Sequence, residues 1–179
     1  MSIALRLGSP FVLVVLVSAM GVVAPASAVV GAKPIRTVLH PENFVVPAGQ
    51  GCSFNVAEEV DERAWMAITE FADGRIVTKG RANPTLTNMD TGDSLVHHTS
   101  AKITETQTSE GEILVEVSGQ LFMSFWPGDQ GPTGLTDDPG GLFSINGHVR
   151  VTMDSSTFVY TSFSLDGTAT DLCAALAPA

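Results

Sequence analysis

Two adjacent histidines, His97 and His98, are the residues of this chain best suited to acid–base chemistry or ligand binding. An imidazole changes its charge near neutral pH, so it can act as a base, a metal ligand or a polar contact. Neighbouring residues of a strand point to opposite faces, so the two rings are poorly placed to chelate one metal ion. Alternation puts His97 on the face of the apolar Leu95, Ala101 and Ile103. We therefore expect His97 to be buried or to line a lumen, as a binding residue or as a hydrogen-bonded core histidine.

A loop at residues 127–141 is the second candidate site, because it contains five glycines, three prolines and three aspartates. Structureless runs of this length are uncommon in compact domains unless they are functional or mobile. Asp129, Asp137 and Asp138 carry oxygen atoms suitable for calcium, but their spacing does not fit an EF-hand loop. Trp126, beside the loop, offers a ring that can stack on a planar ligand. We expect a mobile, solvated connection from which these four side chains contribute to binding.

Common catalytic motifs are absent from the sequence, which has no nucleophile elbow, phosphate-binding glycine loop, dinucleotide fingerprint or metalloprotease helix signature. The acidic residues Glu58, Glu59, Asp61 and Glu62 cluster around one predicted turn. Such a run is typical of a solvated rim, whereas a glycosidase pair must flank a cleft at a set separation. We therefore predict no catalytic residue, no metal and no cofactor.

Residues 1–28 have the form of a secretory signal peptide, with Arg6, an apolar run over residues 11–24 and a small-residue cleavage site at 26–28. The mature chain is then expected outside the cytoplasm. Cleavage leaves eight basic and 19 acidic residues, hence a formal charge of −11. This acidity argues against nucleic acid and against an anionic membrane as partner, while the oligomeric state stays open.

Cys52 and Cys173 are the two cysteines of the chain, so an exported protein is expected to join them in one disulfide. The bond would close a loop of about 120 residues, for which the chain-entropy model gives on the order of 5 kcal/mol. A reactive redox pair usually has a much shorter spacing. We predict a structural bond.

Polar and apolar residues alternate most clearly in two segments, which predicts two long strands with one buried face each. The buried series are Ile113, Val115, Val117, Leu121, Met123 and Phe125 in the first segment, and Phe143, Ile145, Val149, Val151 and Met153 in the second. Gly119 falls within the first series, where a missing side chain permits a bend. A further long strand is expected over residues 94–108.

Turn signals separate these segments from shorter ones: Asp73-Gly74, residues 90–93 and Asp166-Gly167 predict turns, and Asn83-Pro84 predicts a break. The result is an all-β domain over residues 52–179, with about seven to nine antiparallel strands, after an extended arm at residues 29–51. Long strands that can bend favour a small antiparallel β-barrel, and a two-sheet β-sandwich is the alternative.

Three short stretches of the sequence resemble those of a known group of proteins. They are residues 51–54 (Gly-Cys-Ser-Phe), 88–92 (Asn-Met-Asp-Thr-Gly) and 170–176 (Thr-Asp-Leu-Cys-Ala-Ala-Leu). With the signal-like leader, they make the chain similar to small secreted β-rich proteins of actinobacteria, a group without an assigned activity. The resemblance implies a shared β fold, and its turn and cysteine positions bring no active site with them.

The sequence thus favours a secreted, non-enzymatic β-domain that binds a small molecule, a glycan or a protein. One alternative is an enzyme of the lyase, cyclase or isomerase type that uses polar residues in a barrel lumen. Another is a protease inhibitor that presents residues 127–141.

Overall fold

The computed structural model describes residues 33–108, 111–137 and 139–177, so the predicted signal peptide lies outside the described residues. The strands and the single helix are β1 (Ile35–Leu39), β2 (Phe44–Val46), β3 (Val56–Glu59), β4 (Trp65–Glu70), β5 (Ile76–Ala82), β6 (Thr85–Asn88), β7 (Ser94–Val96), β8 (Thr99–Gln107), β9 (Glu112–Phe125), β10 (Gln130–Gly131), β11 (Gly134–Leu135), β12 (Gly141–Asp154), β13 (Tyr160–Asp171) and α1 (Leu172–Leu176). The described part of the predicted arm forms β1 and β2, which pair with β4 and β3.

The described strands form three antiparallel sheets, which confirms the all-β class. The largest sheet has seven strands in the order β1-β4-β5-β8-β9-β12-β13. A four-stranded sheet has the order β2-β3-β6-β7, and β10 and β11 form a small hairpin. β1 and β13 stand at the two ends of the seven-stranded order, and within the described residues no strand pairing joins them to close a barrel.

The chain crosses between the seven-stranded and the four-stranded sheet twice at one corner, first from β5 to β6 and then back from β7 to β8. β5 is followed by β6 after Asn83-Pro84, and β7 is followed by β8 after His97-His98. Proline has no N–H group to donate to a ladder, and at this corner the His97 N–H donates to the Pro84 carbonyl oxygen at 2.9 Å. The predicted break at Asn83-Pro84 is confirmed, whereas the single strand expected over residues 94–108 is divided at the two histidines.

The larger hydrophobic core lies on the inner face of the seven-stranded sheet. Its strand members come from β4, β5, β8, β9, β12 and β13, and every residue of the two predicted buried series belongs to it. Phe125 contacts the rings of Phe143, Tyr160 and Phe163, with centroid distances of 5.8, 5.7 and 5.5 Å. The core also takes in residues between strands, such as Ala64 and Phe158.

A second core covers the other face of β9 and β12, but only at one end of these strands. Phe122 and Leu142 are 2% and 0% exposed there, packed against residues of the four-stranded sheet and α1. Strict alternation assigns this face to solvent, so the sequence did not predict their burial. The predicted disulfide between Cys52 and Cys173 is confirmed, with Cα atoms 5.4 Å apart, and it borders this core.

Three glycines lie side by side on adjacent strands where the covered part of this face ends. Gly147 of β12 pairs with Gly119 of β9 on one side and with Gly167 of β13 on the other. The backbone at Gly147 has a φ of +137°, and a Cβ atom there would overlap the carbonyl oxygen of Asp166. We call this line of glycines the crease. The turn predicted at Asp166-Gly167 is wrong, because β13 runs through it and the glycine serves a close approach of two strands.

Replacing Gly147 with alanine should destabilise the protein by at least about 3 kcal/mol, because the new methyl group meets the backbone of β13. Gly74→Ala is the matched control, since Gly74 also has a positive φ but nothing within 4 Å of a Cβ atom. Gly74→Ala should lower the free energy of unfolding by only about 1 kcal/mol, because alanine is disfavoured at a positive φ. Urea unfolding measures the free energy of unfolding of both variants. An equal loss of stability in the two would show that the strands do not approach closely at the crease.

Candidate ligand-binding groove

Beyond the crease, the outer face of β8, β9, β12 and β13 is uncovered and forms a groove of about 340 Å³. Two rows of polar side chains line it, each row contributed by four neighbouring strands in register. The rows are Lys102, Ser118, His148 and Asp166, and Thr104, Glu116, Arg150 and Ser164. Val117 and Val149 point to the opposite face as core residues, so the two-residue period of β9 and β12 places the polar groups outward.

Charges of both signs meet in the groove, with Glu116 directly opposite Arg150 in register. Lys102, Arg150, Glu116 and Asp166 are all exposed. Within the described part of the chain, none of these four side chains has an ion-pair partner within 4.0 Å. Their donors and acceptors are therefore available to a ligand.

Ser118 and His148 are the polar pair at the centre of the groove, with the serine Oγ 3.0 Å from the histidine Nδ1. A hydroxyl beside an imidazole can form a nucleophile and its base, provided that a third group orients the ring. Asp166 is opposite His148 in register, yet no ion pair within 4.0 Å joins them in the described residues. The arrangement supplies hydrogen-bonding groups to the centre of the groove.

His97, the first predicted candidate, is buried at the corner between the sheets and is 4% exposed. Its Nδ1 lies 3.1 Å from the Thr99 hydroxyl and its Nε2 lies 2.8 Å from the Ser144 hydroxyl, while its ring meets Phe122 edge-on. Burial, with a smaller contribution from the charge of His98, lowers the His97 pKa to about 4. The imidazole is neutral at pH 7 with both nitrogens engaged, and its role in binding stays a prediction.

The loop at residues 127–141 has regular structure, so the expectation of a structureless connection is wrong. β10 and β11 form a hairpin within it. Asp129 is 1% exposed and its carboxylate accepts hydrogen bonds from the backbone N–H groups of Trp126, at 2.7 Å, and Tyr160, at 2.9 Å. One buried carboxylate thus ties the loop to β13, a long-range contact that the loop's composition does not indicate.

The other loop candidates do not meet in one place. Asp137 is exposed, Trp126 is half-buried and Asp138 lies outside the described residues. No group of three or more His, Cys, Asp or Glu side chains suited to a metal ion occurs among the residues that the structure describes. A role of Trp126, Asp129, Asp137 and Asp138 in ligand binding stays a prediction.

Sequence reasoning missed the groove, although part of its signal was visible. Glu116 and Ser118 alternate with the predicted buried residues Val115 and Val117, and His148 and Arg150 alternate with Val149 and Val151 in the same way. What brings them together is the pairing of Ser118 with His148 and of Glu116 with Arg150, across 30 or more residues of chain. Such a register cannot be read from alternation alone.

Two carboxyl groups, those of Glu58 and Glu105, are buried. Glu58, on β3, is 1% exposed between its cross-strand neighbours Phe44 and Leu86, so its predicted place on a solvated rim is wrong. Glu105, on β8, is 8% exposed. In the described residues, both Oε atoms of Glu58 and the Oε2 atom of Glu105 are buried without a hydrogen-bond partner. Burial raises the pKa of Glu58 to about 8 and that of Glu105 to about 7.

Comparisons with protein-family models, with curated proteins and with solved structures find no match to this chain. In the described part of the chain, no helix has the length and apolar character needed to cross a membrane. The chemistry of the groove therefore carries the functional assignment.

Glu58→Gln should stabilise the protein increasingly as the pH rises from 5 to 8. The folded protein holds a proton on Glu58 up to about pH 8, whereas the unfolded chain releases it near pH 4.5, so the wild type loses stability across this window. Glutamine has the same shape and no proton to lose. Melting temperatures at pH 5, 6.5 and 8 measure the effect, with Glu59→Gln, an exposed neighbour, as control. A difference between Glu58→Gln and wild type that stays constant with pH would contradict the buried carboxyl.

Proposed function

We propose that the protein is a secreted, non-enzymatic binding module and that its groove binds a glycan. The signal-like leader and the Cys52–Cys173 disulfide support secretion, because disulfides persist outside the cytoplasm. The observation that carries the binding proposal is the convergence of eight polar side chains from four strands on one groove, in which the charged groups are not ion-paired within the described residues.

A glycan suits this groove because each sugar hydroxyl can donate and accept hydrogen bonds at once. The carboxylates of Glu116 and Asp166 accept from hydroxyls, whereas Lys102 and Arg150 can only donate. Hydrogen bonds to charged groups are the stronger ones, each contributing about 1.5–3 kcal/mol. A volume of about 340 Å³ falls at the lower end of the range for small-ligand pockets, and the polar lining disfavours an apolar ligand.

Binding is favoured over catalysis by the same geometry. Ser118 and His148 form the closest approach to a reactive pair, and no carboxylate orients the imidazole within the described residues. For the fold, we infer an open, barrel-like sheet with a second sheet packed on part of its outer face. Its support is the large core on the inner face of the seven-stranded sheet, together with the second core under the four-stranded sheet.

Affinity electrophoresis tests the proposal, using native gels that contain dextran or polygalacturonate. We expect at least one of the two polysaccharides to retard the mature protein, and His148→Ala/Arg150→Ala to weaken the retardation by about tenfold or more, because two hydrogen-bonding groups are lost. Arg63→Ala is the control, since Arg63 is exposed and does not line the groove.

Two results would overturn this assignment. One is unchanged mobility of the wild-type protein in both gels. The other is retardation that survives intact in the His148→Ala/Arg150→Ala variant, which would place the site elsewhere on the molecule.

A further inference from the structure

Two lysines face each other on the outer surface of the seven-stranded sheet, next to the groove. Lys79 of β5 and Lys102 of β8 are direct cross-strand partners, and both side chains are exposed. Like charges placed directly opposite each other destabilise a sheet. Within the described residues neither ammonium group has an ion-pair partner within 4.0 Å, and the nearest carboxylate in register, Glu116, is only diagonal to Lys102.

A third cation adds to this pair. Arg81 lies two residues after Lys79 on the same face of β5 and diagonal to Lys102, because its own partner is Ser100. The positions beside, opposite and diagonal to Lys79 are Trp65, Ala67, Thr69, Val77, Arg81, Ser100, Lys102 and Thr104, none of them acidic. The chain has nine lysines and arginines against 19 acidic residues, and three of the nine, Lys79, Arg81 and Lys102, lie together on this face.

The cluster is continuous with the groove through Lys102, which belongs to both. From there, cationic or hydrogen-bonding groups continue across Ser118 and His148 to Arg150. We call this line, from Arg81 through Lys79, Lys102 and His148 to Arg150, the basic tract. It crosses β5, β8, β9 and β12, and with strands about 4.8 Å apart it is roughly 14 Å long. That length exceeds one sugar ring and suits a chain.

We propose that the ligand is an acidic polysaccharide, a chain of sugars with carboxylate or sulfate groups, that lies along the basic tract. This inference rests on the proposed function and names the class of glycan. The anionic groups would remove the repulsion between Lys79 and Lys102, and the sugar hydroxyls would donate to Glu116 and Asp166 in the groove.

A single carbohydrate chain fits this surface better than a nucleic-acid duplex or an anionic bilayer does. Both of these present phosphates over a broad area, and they would meet Glu116 and Asp166 together with the acidic remainder of the protein. A narrow chain can place its anionic groups at Lys79 and Arg81, outside the groove, because Glu116 and Asp166 lie directly opposite Arg150 and His148 within it. Its hydroxyl groups also give the carboxylates partners that phosphates lack.

Calorimetric titration with polygalacturonate and with its methyl-esterified form tests the inference, because the two polymers share a backbone and differ in charge. We expect Lys79→Ala/Arg81→Ala to weaken polygalacturonate binding about tenfold and to reduce its dependence on salt, since fewer counterions are released. Neither residue lines the groove. Lys33→Ala/Arg63→Ala removes the same charges elsewhere on exposed positions and should bind like the wild type.

A stability measurement on the same variants separates lost binding from lost folding. Lys79→Ala/Arg81→Ala should melt at the same temperature as the wild type or above it, because the substitution relieves the repulsion with Lys102. Weaker binding by a protein of undiminished stability supports the basic tract. A variant that both melts lower and binds less would count against it.

Other outcomes assign failure to one proposal or the other. Equal affinity for the charged and esterified polymers, or polygalacturonate binding unchanged in Lys79→Ala/Arg81→Ala, would overturn the basic tract and leave the groove as a glycan site. Full binding by His148→Ala/Arg150→Ala would overturn the groove itself. Tighter binding to duplex DNA or to phosphatidylserine vesicles than to polygalacturonate would replace the polysaccharide with that partner.

Discussion

Close approaches of neighbouring strands at three glycines are the constraint on which the rest of the structure depends: Gly147 and Gly167 lie where β12 meets β13, and Gly119 lies where β9 meets β8. A side chain at Gly147 would overlap the neighbouring strand, so only glycine allows β12 and β13 to lie as close as they do. On one side of this line the outer face of β9 and β12 packs under the four-stranded sheet, with Phe122 and Leu142 in a second core. On the other side the same strands are covered on one face only.

This division of one pair of strands into two environments explains where polar groups collect. Where a second sheet covers the outer face, that parity holds the apolar Phe122 and Leu142 and two serines, Ser124 and Ser144, with hydrogen-bond partners. Glu58, on the covering sheet, is buried without a partner in the described residues, and burial raises its pKa to about 8. Where no sheet covers it, the same parity holds Lys102, Glu116 and Arg150. The uncovered charges, including the opposed Lys79 and Lys102, form no ion pair within 4.0 Å in the described residues, which is why we assign them to a ligand.

Local patterns in the sequence predicted the features that depend on neighbouring residues. The two-residue period identified the inner faces of β9 and β12, and the cysteine count identified the bond between Cys52 and Cys173. Features that depend on register were not accessible. Asp166-Gly167 is typical of a turn in sequence, but Gly167 lies in the crease, within β13. Asp129 belongs to a predicted loop, yet its carboxylate accepts a hydrogen bond from the backbone N–H of Tyr160, 31 residues away. The groove needs four strands in register, and no single segment contains its chemistry.

The most direct test of the account is to map the ligand contact by NMR, following the amide signals of the mature protein as polygalacturonate oligomers are added. The account predicts shifts concentrated on the uncovered ends of β8, β9 and β12, at Lys102, Ser118 and His148, with the corner around His97 unchanged. Shifts confined to residues 127–141 or to the surroundings of His97 would contradict it.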